Sequence, residues 1–172
     1  MNYRSVLFLL LTLALMSFLA PQKFGKRTDK EVKEVFNIEN YKAEGIKISE
    51  ELQQRTPSNI TTENFFRINS SSTLKGYVYF DKAPSKTAQF DYLIIFDSDL
   101  KIVKTKVLVY REEYGGEIGS RRWLSQFIGK SSDDSLNDIA AISGATISVR
   151  SMKNAVQDML NSIKVLHAQK II

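Results

Sequence analysis

Between residues 74 and 110, short apolar segments alternate with turn residues, a spacing typical of an antiparallel sheet. Residues 74–80 (LKGYVYF) are aromatic and β-branched, and residues 90–96 (FDYLIIF) are apolar enough to form a strand buried on both faces. Residues 102–110 (IVKTKVLVY) supply a partner strand after the turn residues 97–99. We therefore expect an antiparallel hairpin or meander at the centre of the fold.

The last element predicted is a long amphipathic helix over residues 148–167, with Ser148 as its N-cap. Apolar side chains recur along it at spacings of three and four residues: Val149, Met152, Val156, Met159, Leu160, Ile163 and Leu166. A shorter amphipathic helix is expected over residues 121–128, ending at Gly129. Together these elements predict an α+β fold, in which helices pack on a small antiparallel sheet and the C-terminal helix is dominant.

The N-terminus has the pattern of a targeting segment. Arg4 precedes a run of almost purely apolar residues, 6–20, as in a secretory signal. The run is short for a membrane span, which needs about 20 residues, but no clear cleavage site follows it. Residues 1–22 are therefore predicted to be a signal peptide or an N-terminal membrane anchor. Residues 23–172 are expected to form a single domain outside the cytoplasm, in the periplasm or at the outer face of the cytoplasmic membrane.

The composition excludes several kinds of chemistry. The chain has no cysteine, which rules out disulfides and Cys-ligated metal clusters, and its single histidine, His167, lies near the C-terminus. The net charge is +5, but no basic run with interleaved aromatic residues marks a nucleic-acid surface, so no nucleic-acid partner is expected. These side chains are poorly equipped for catalysis alone, which points to a cofactor or a pure binding role.

The segment 138–148, directly before the long helix, is chemically suited to hold a phosphate. The first amides of a helix lack internal acceptors, and the helix dipole adds partial positive charge there. Gly144 permits close approach of a ligand, while Ser143, Thr146 and Ser148 offer hydroxyl groups. By itself the pattern is a weak signal and favours a simple capped helix start, because a turn of small residues before a helix is common.

A resemblance to a known family gives this segment a more specific meaning. Ser143-Gly144-Ala145-Thr146, followed by Ile147-Ser148 and a helix, resembles the attachment motif of the FMN-binding domain family. That family includes the covalent-FMN subunits of Na⁺-translocating NADH:quinone oxidoreductases and of Rnf-type electron-transport complexes. The resemblance implies that a flavin transferase joins FMN to the Thr146 hydroxyl through a phosphoester. It also implies a membrane redox partner.

The resemblance covers about residues 75–165 and includes two departures from the family pattern. Residues 113–119 fall where the family has a glycine-containing loop beside the flavin, but here they lack the usual threonine and proline. The family usually carries an acidic residue six positions before the threonine. This chain has Ala140 there, with Asp138 two residues further back.

The cofactor-binding residues expected from this resemblance are Thr146, Ser143, Gly144, Ala145 and Ser148. Thr146 would carry the phosphoester, Gly144 and Ala145 would allow close approach, and the two serines would hydrogen-bond the phosphate or cap the helix. No catalytic or metal-binding residue is expected.

Other side chains have two possible roles. Arg150 and Lys153 would either add positive charge near the phosphate or remain solvated. Tyr114, Trp123 or Phe127 would either pack on the isoalloxazine ring or belong to the core.

The function expected is that of an exported electron carrier rather than a stand-alone enzyme. Two alternatives stay open. One is an exported binding module without flavin, and the other is a flavin-dependent reductase with its own small substrate.

Overall fold

The computed structural model describes residues 24–172, and its centre is a five-stranded antiparallel sheet. Each strand pairs with the next along the chain, so the sheet is a simple meander. Its strands are β1 (Lys42–Gly45), β2 (Phe65–Ser70), β3 (Thr73–Pro84), β4 (Gln89–Asp97) and β5 (Ile102–Val109). The signal or anchor predicted over residues 1–22 lies outside the described residues. Within residues 24–172, no helix is long and apolar enough to cross a membrane.

Helices cover both faces of this sheet, which confirms the predicted α+β class. The α-helices are α1 (Lys26–Phe36), α2 (Glu50–Gln53), α3 (Arg121–Leu124) and α4 (Thr146–Ala168). Two short 3₁₀ helices, Gly116–Gly119 and Ser125–Phe127, flank α3. The 23-residue α4 packs on one face of the sheet and the 11-residue α1 on the other.

Strand β4 is buried on both faces, as its sequence predicts. Its side chains alternate between two apolar clusters, because successive residues of a strand point to opposite sides. Tyr92 and Ile94 join the cluster that contains α4, whereas Leu93 and Ile95 join the cluster that contains Val32 of α1.

The helix predicted over residues 121–128 is interrupted near its end. It divides into α3 and a 3₁₀ turn, and Ile128, which follows the turn, is 52% exposed. The cause is a backbone pairing with the start of β5: the Gly129 amide donates to the Ile102 carbonyl at 2.7 Å, and the Ile102 amide donates to the Lys130 carbonyl at 2.8 Å. This pairing requires extended backbone at Ile128, which a helix cannot supply.

The long C-terminal helix is present, but it begins earlier than predicted. Its first residue is Thr146 and its N-cap is Ala145, whose methyl side chain makes no capping hydrogen bond. The prediction that Ser148 is the N-cap is therefore wrong, because Ser148 already lies inside the first turn.

A buried carboxylate joins α1 to β5. Glu31 is only 2% exposed, and its carboxylate pairs with the ammonium groups of Lys106 and Lys104. Burial alone would raise the pKa of Glu31, but the two lysines outweigh it and hold that pKa below the usual value. These two ion pairs therefore stabilise the docking of α1 only while Glu31 is ionised.

Glu31→Gln should lower the free energy of unfolding by about 1–2 kcal/mol at neutral pH, since the lysines are partly solvated. The folded-state pKa of Glu31 is lowered, so this contribution is complete above pH ~4.5 and is lost as the pH falls through the folded-state pKa. Urea unfolding at several pH values should show the difference between wild type and variant shrinking in acid. Glu34→Gln is the matched control, because Glu34 forms an exposed pair with Lys30 on the same helix. A cost independent of pH would contradict the assignment.

Candidate functional site

A tight turn leads the chain into α4. The Ala145 amide donates to the Ile142 carbonyl at 3.2 Å, which closes a turn over Ser143 and Gly144. Gly144 has φ +81°, a conformation that favours glycine, and a Cβ built there would meet nothing within 4 Å. The backbone before the helix is therefore open to the approach of a ligand.

Thr146 occupies the first position of α4 and is exposed. The helical bonding begins with the Val149 amide, which donates to the Ala145 carbonyl at 2.9 Å. The amides of Thr146, Ile147 and Ser148 find no acceptor among residues 24–172. They are oriented along the helix axis towards the space in front of Thr146, as at any α-helix N-terminus.

The three hydroxyl side chains of the motif have different environments. Ser143 and Thr146 are exposed, whereas Ser148 is only 4% exposed. The Ser148 Oγ lies 3.1 Å from the Tyr110 hydroxyl, so it is directed towards the sheet.

The glycine-containing loop lies directly against this motif. The Tyr110 hydroxyl donates to the Tyr114 carbonyl at 2.9 Å. A Cβ built on Gly115 would lie 2.7 Å from the Tyr110 hydroxyl and 3.5 Å from the Ala145 Cβ. Residues 113–119, expected beside a flavin, therefore do lie beside the helix start.

Exposed apolar side chains lie both on the glycine loop and on the first turn of α4. Tyr114 is 81% exposed and Ile147 is 41% exposed. Trp123 and Phe127, the other two aromatic candidates, are buried in the core and pack edge to face at 5.2 Å. Of the three aromatic candidates, only Tyr114 is available to a ligand.

Hydrogen bonds from the segment that contains α3 fix the chain upstream of the motif. Trp123 Nε1 donates to the Ala140 carbonyl at 2.7 Å, and the Ala140 amide donates to Gln126 Oε1 at 2.8 Å. The carbonyl and the amide of Ala140, six positions before Thr146, are thus both held by hydrogen bonds. The Ala140 side chain itself is exposed.

Two charged groups near the motif are already engaged. Lys130 Nζ contacts both carboxylate oxygens of Asp138, at 3.0 and 2.8 Å, and this contact holds the pKa of Asp138 below its usual value. Lys153 Nζ reaches back to the Ile139 carbonyl at 3.3 Å. Arg150, by contrast, is exposed and has no carboxylate partner within residues 24–172. It is the charged group of the first turns that remains available to an anion.

Two acidic residues at turns of the sheet serve the fold. The Glu112 carboxylate accepts from the amides of Thr87 and Ala88 at 2.7 and 3.1 Å, in the turn between β3 and β4. The Asp97 carboxylate accepts from the amides of Asp99 and Lys101, as expected of a turn residue. In the described part of the chain, no group of three or more acidic or histidine side chains could hold a metal ion.

Comparison with known proteins identifies the ligand class of this region. Residues 86–161 match the family model for the FMN-binding domain. The matched range begins in the turn before β4 and includes the glycine loop, the turn at Gly144 and most of α4. The match confirms the resemblance read from the motif and establishes FMN as the cofactor.

The solved structures provide a second comparison. The chain is similar to NqrC of Shewanella oneidensis, with 18% sequence identity and a TM-score of 0.49. The similarity covers 61% of this chain and 59% of the NqrC chain, so the chain spans less than two thirds of that protein. The comparison with curated proteins gave no match.

The site includes groups that the sequence pattern does not single out. The pattern assigns Tyr110 only to a strand, yet its hydroxyl joins the glycine loop to α4. Gln126 and the indole N–H of Trp123 hold Ala140 from a segment 14 and 17 residues away. A lone tyrosine at a strand end carries no signal for such contacts, which arise only in the folded chain.

Gln126→Met should loosen the chain before the motif while leaving the fold intact. The variant removes the acceptor of the Ala140 amide, so exchange of that amide with solvent should become about fivefold faster, the factor expected for one net hydrogen bond. Residue-resolved hydrogen exchange measures it. Gln157→Met, on the outer surface of α4, should leave the Ala140 amide unchanged. Equal exchange at Ala140 in wild type and Gln126→Met would show that the contact is not maintained in solution.

Proposed function

We propose that this protein is an exported electron-transfer flavoprotein that carries FMN covalently, through a phosphoester to Thr146. The observation that carries the proposal is the position of Thr146 within a region that matches the FMN-binding domain. Its hydroxyl is exposed at the first position of a 23-residue helix, beside a turn with open space at Gly144. The other cofactor-binding residues are assigned because they adjoin Thr146.

The start of α4 suits the phosphate chemically. A phosphodiester retains one negative charge, which the helix dipole and the free amides of residues 146–148 would stabilise. Gly144 and Ala145 leave room for the phosphate, and the exposed Ser143 hydroxyl offers a further donor. Arg150 would add a positive charge one turn into the helix.

The surroundings of Thr146 also suit a flat aromatic ring. Tyr114 and Ile147 expose apolar surface next to the threonine, and such exposed side chains are natural contacts for a planar ligand. Bound FMN would supply reversible one- and two-electron chemistry. The chain's own residues would bind and orient it, which agrees with the absence of an acid–base constellation in its sequence.

Export and covalent attachment belong together in this proposal. An exported protein would lose a dissociable cofactor by dilution, whereas a phosphoester retains it. The apolar residues 6–20 would direct residues 23–172, as one FMN-binding domain, to the periplasm or to the outer face of the cytoplasmic membrane. A flavin transferase would complete the protein, and a membrane-bound redox protein would exchange electrons with it.

Substitutions at Thr146 test the attachment. Co-expressed with a flavin transferase and then denatured, wild type and Thr146→Ser should both show an intact mass increased by one FMN less one water. Thr146→Ala should show no increase, because it has no hydroxyl. An adduct that persists in Thr146→Ala would place the bond elsewhere. A colourless, unmodified wild type would instead favour the flavin-free binding module.

Two glycines with nearly the same φ angle test the approach to Thr146. Gly144 and Gly129 have φ +81° and +84°, and at either position an added methyl group would meet nothing within 4 Å. Alanine at either position should cost about 1 kcal/mol of stability through backbone strain. Only Gly144→Ala should also lower the fraction of protein carrying FMN, measured by intact mass. Equal loading of the two variants would show that Gly144 is not part of the site.

A flavin-dependent reductase differs from an electron carrier in its kinetics. The carrier should be reduced and reoxidised by a membrane redox partner without releasing a product of its own. Multiple turnovers of a soluble acceptor by the purified flavoprotein would favour the reductase.

A further inference from the structure

Tyr110 lies where the strand β5 ends, between the glycine loop and the first turn of α4. Its hydroxyl contacts the Tyr114 carbonyl at 2.9 Å and the Ser148 Oγ at 3.1 Å. The end of β5, the loop four residues later and the first turn of α4, 38 residues away, therefore meet at one oxygen atom. No other side-chain hydroxyl in the described residues joins the loop to the helix.

The direction of these hydrogen bonds follows from proton counting. A phenol has one hydrogen to donate, and a carbonyl can only accept. Tyr110 therefore donates to Tyr114, and the Ser148 hydroxyl must donate to Tyr110. This relay of two hydrogen bonds, from Ser148 through Tyr110 to Tyr114, uses the single hydroxyl proton of Ser148. That proton is then not available to a phosphate. Ser148 therefore serves the contact between α4 and the sheet.

Gly115 shows how closely the loop approaches this hydroxyl. It has φ +82°, and a methyl group there would lie 2.7 Å from the Tyr110 oxygen, closer than non-bonded atoms tolerate. The Tyr110 ring is itself held by Phe90, whose ring centroid lies 6.1 Å away in the core. The position of the hydroxyl is thus set by the sheet, and the loop is fitted to it.

We infer that Tyr110 is a positioning residue for the flavin: its hydroxyl fixes the glycine loop against α4 and so sets the environment of the ring carried at Thr146. The inference rests on the proposed function. Tyr114, the exposed aromatic residue of the site, projects from the peptide that Tyr110 holds by its carbonyl. Loss of the hydroxyl would free Tyr114 and its neighbours without removing any atom that bonds to FMN.

Tyr110→Phe tests the relay, with Tyr41→Phe as the matched control. Tyr41 also donates one side-chain hydrogen bond, to Asp29 at 2.8 Å, but on the opposite face of the sheet. In flavin-free protein, amide exchange over residues 113–118 should be about fivefold faster in Tyr110→Phe, as expected for one lost hydrogen bond, and unchanged in Tyr41→Phe. Exchange that is unaltered in Tyr110→Phe would overturn the inference.

The flavin itself supplies the second measurement. FMN-loaded Tyr110→Phe should carry the same FMN mass increment as the loaded wild type, but iodide should quench its flavin fluorescence more strongly. Tyr41→Phe should match the wild type in both. Unchanged quenching would show that the loop does not set the ring's environment. If the wild type carries no FMN, the proposed function fails, while the exchange measurement still decides whether the relay exists.

A double-mutant cycle with Gly115→Ala gives a test that needs no flavin. The added methyl group should destabilise the wild type more than the Tyr110→Phe protein, because the variant lacks the oxygen atom that the methyl would meet. Urea unfolding of the four proteins measures the coupling. Strictly additive effects would contradict the contact between the loop and Tyr110.

Discussion

Burial of the sheet on both faces is the constraint from which the position of the site follows. Strand β4 contributes side chains to two apolar clusters, so one helix must cover each face. The helix α4 covers the larger cluster along its whole apolar stripe. Its first turn consequently meets the sheet where β5 ends, and the turn before it remains in solvent. Thr146 is exposed because it lies at this boundary between a packed helix and an open turn.

The segment before α4 is held by the backbone of Ala140 and by the carboxylate of Asp138. Both polar groups of Ala140 are bonded by the side chains of Trp123 and Gln126, and Lys130 binds the Asp138 carboxylate. Such contacts fix the chain while placing few demands on the side chains of the motif itself. The exposed residues near Thr146 are therefore not needed to hold the fold and are available to contact a ligand. This agrees with the match of the region to the FMN-binding domain.

Local sequence predicts those parts of the structure that local forces determine. Strands β4 and β5 and the stripe of α4 can be recognised because their apolar patterns are long and regular. Strand β1 cannot, because its sequence, KAEG, has no strand pattern and becomes extended by pairing with β2. The N-cap role predicted for Ser148 is wrong for a related reason. A hydroxyl before an apolar stripe predicts an N-cap, but its contact with Tyr110 spans 38 residues of sequence.

The central claim is that the Thr146 hydroxyl, rather than a neighbouring one, bears the cofactor. Trypsin should release residues 131–150 as one peptide, since Lys130 and Arg150 flank it and no basic residue lies between them. Fragmentation of this peptide from the mature protein can separate Ser143, Thr146 and Ser148. We predict that the mass of FMN less water resides on Thr146 alone. An adduct on either serine, or a peptide without an adduct from a yellow protein, would contradict it.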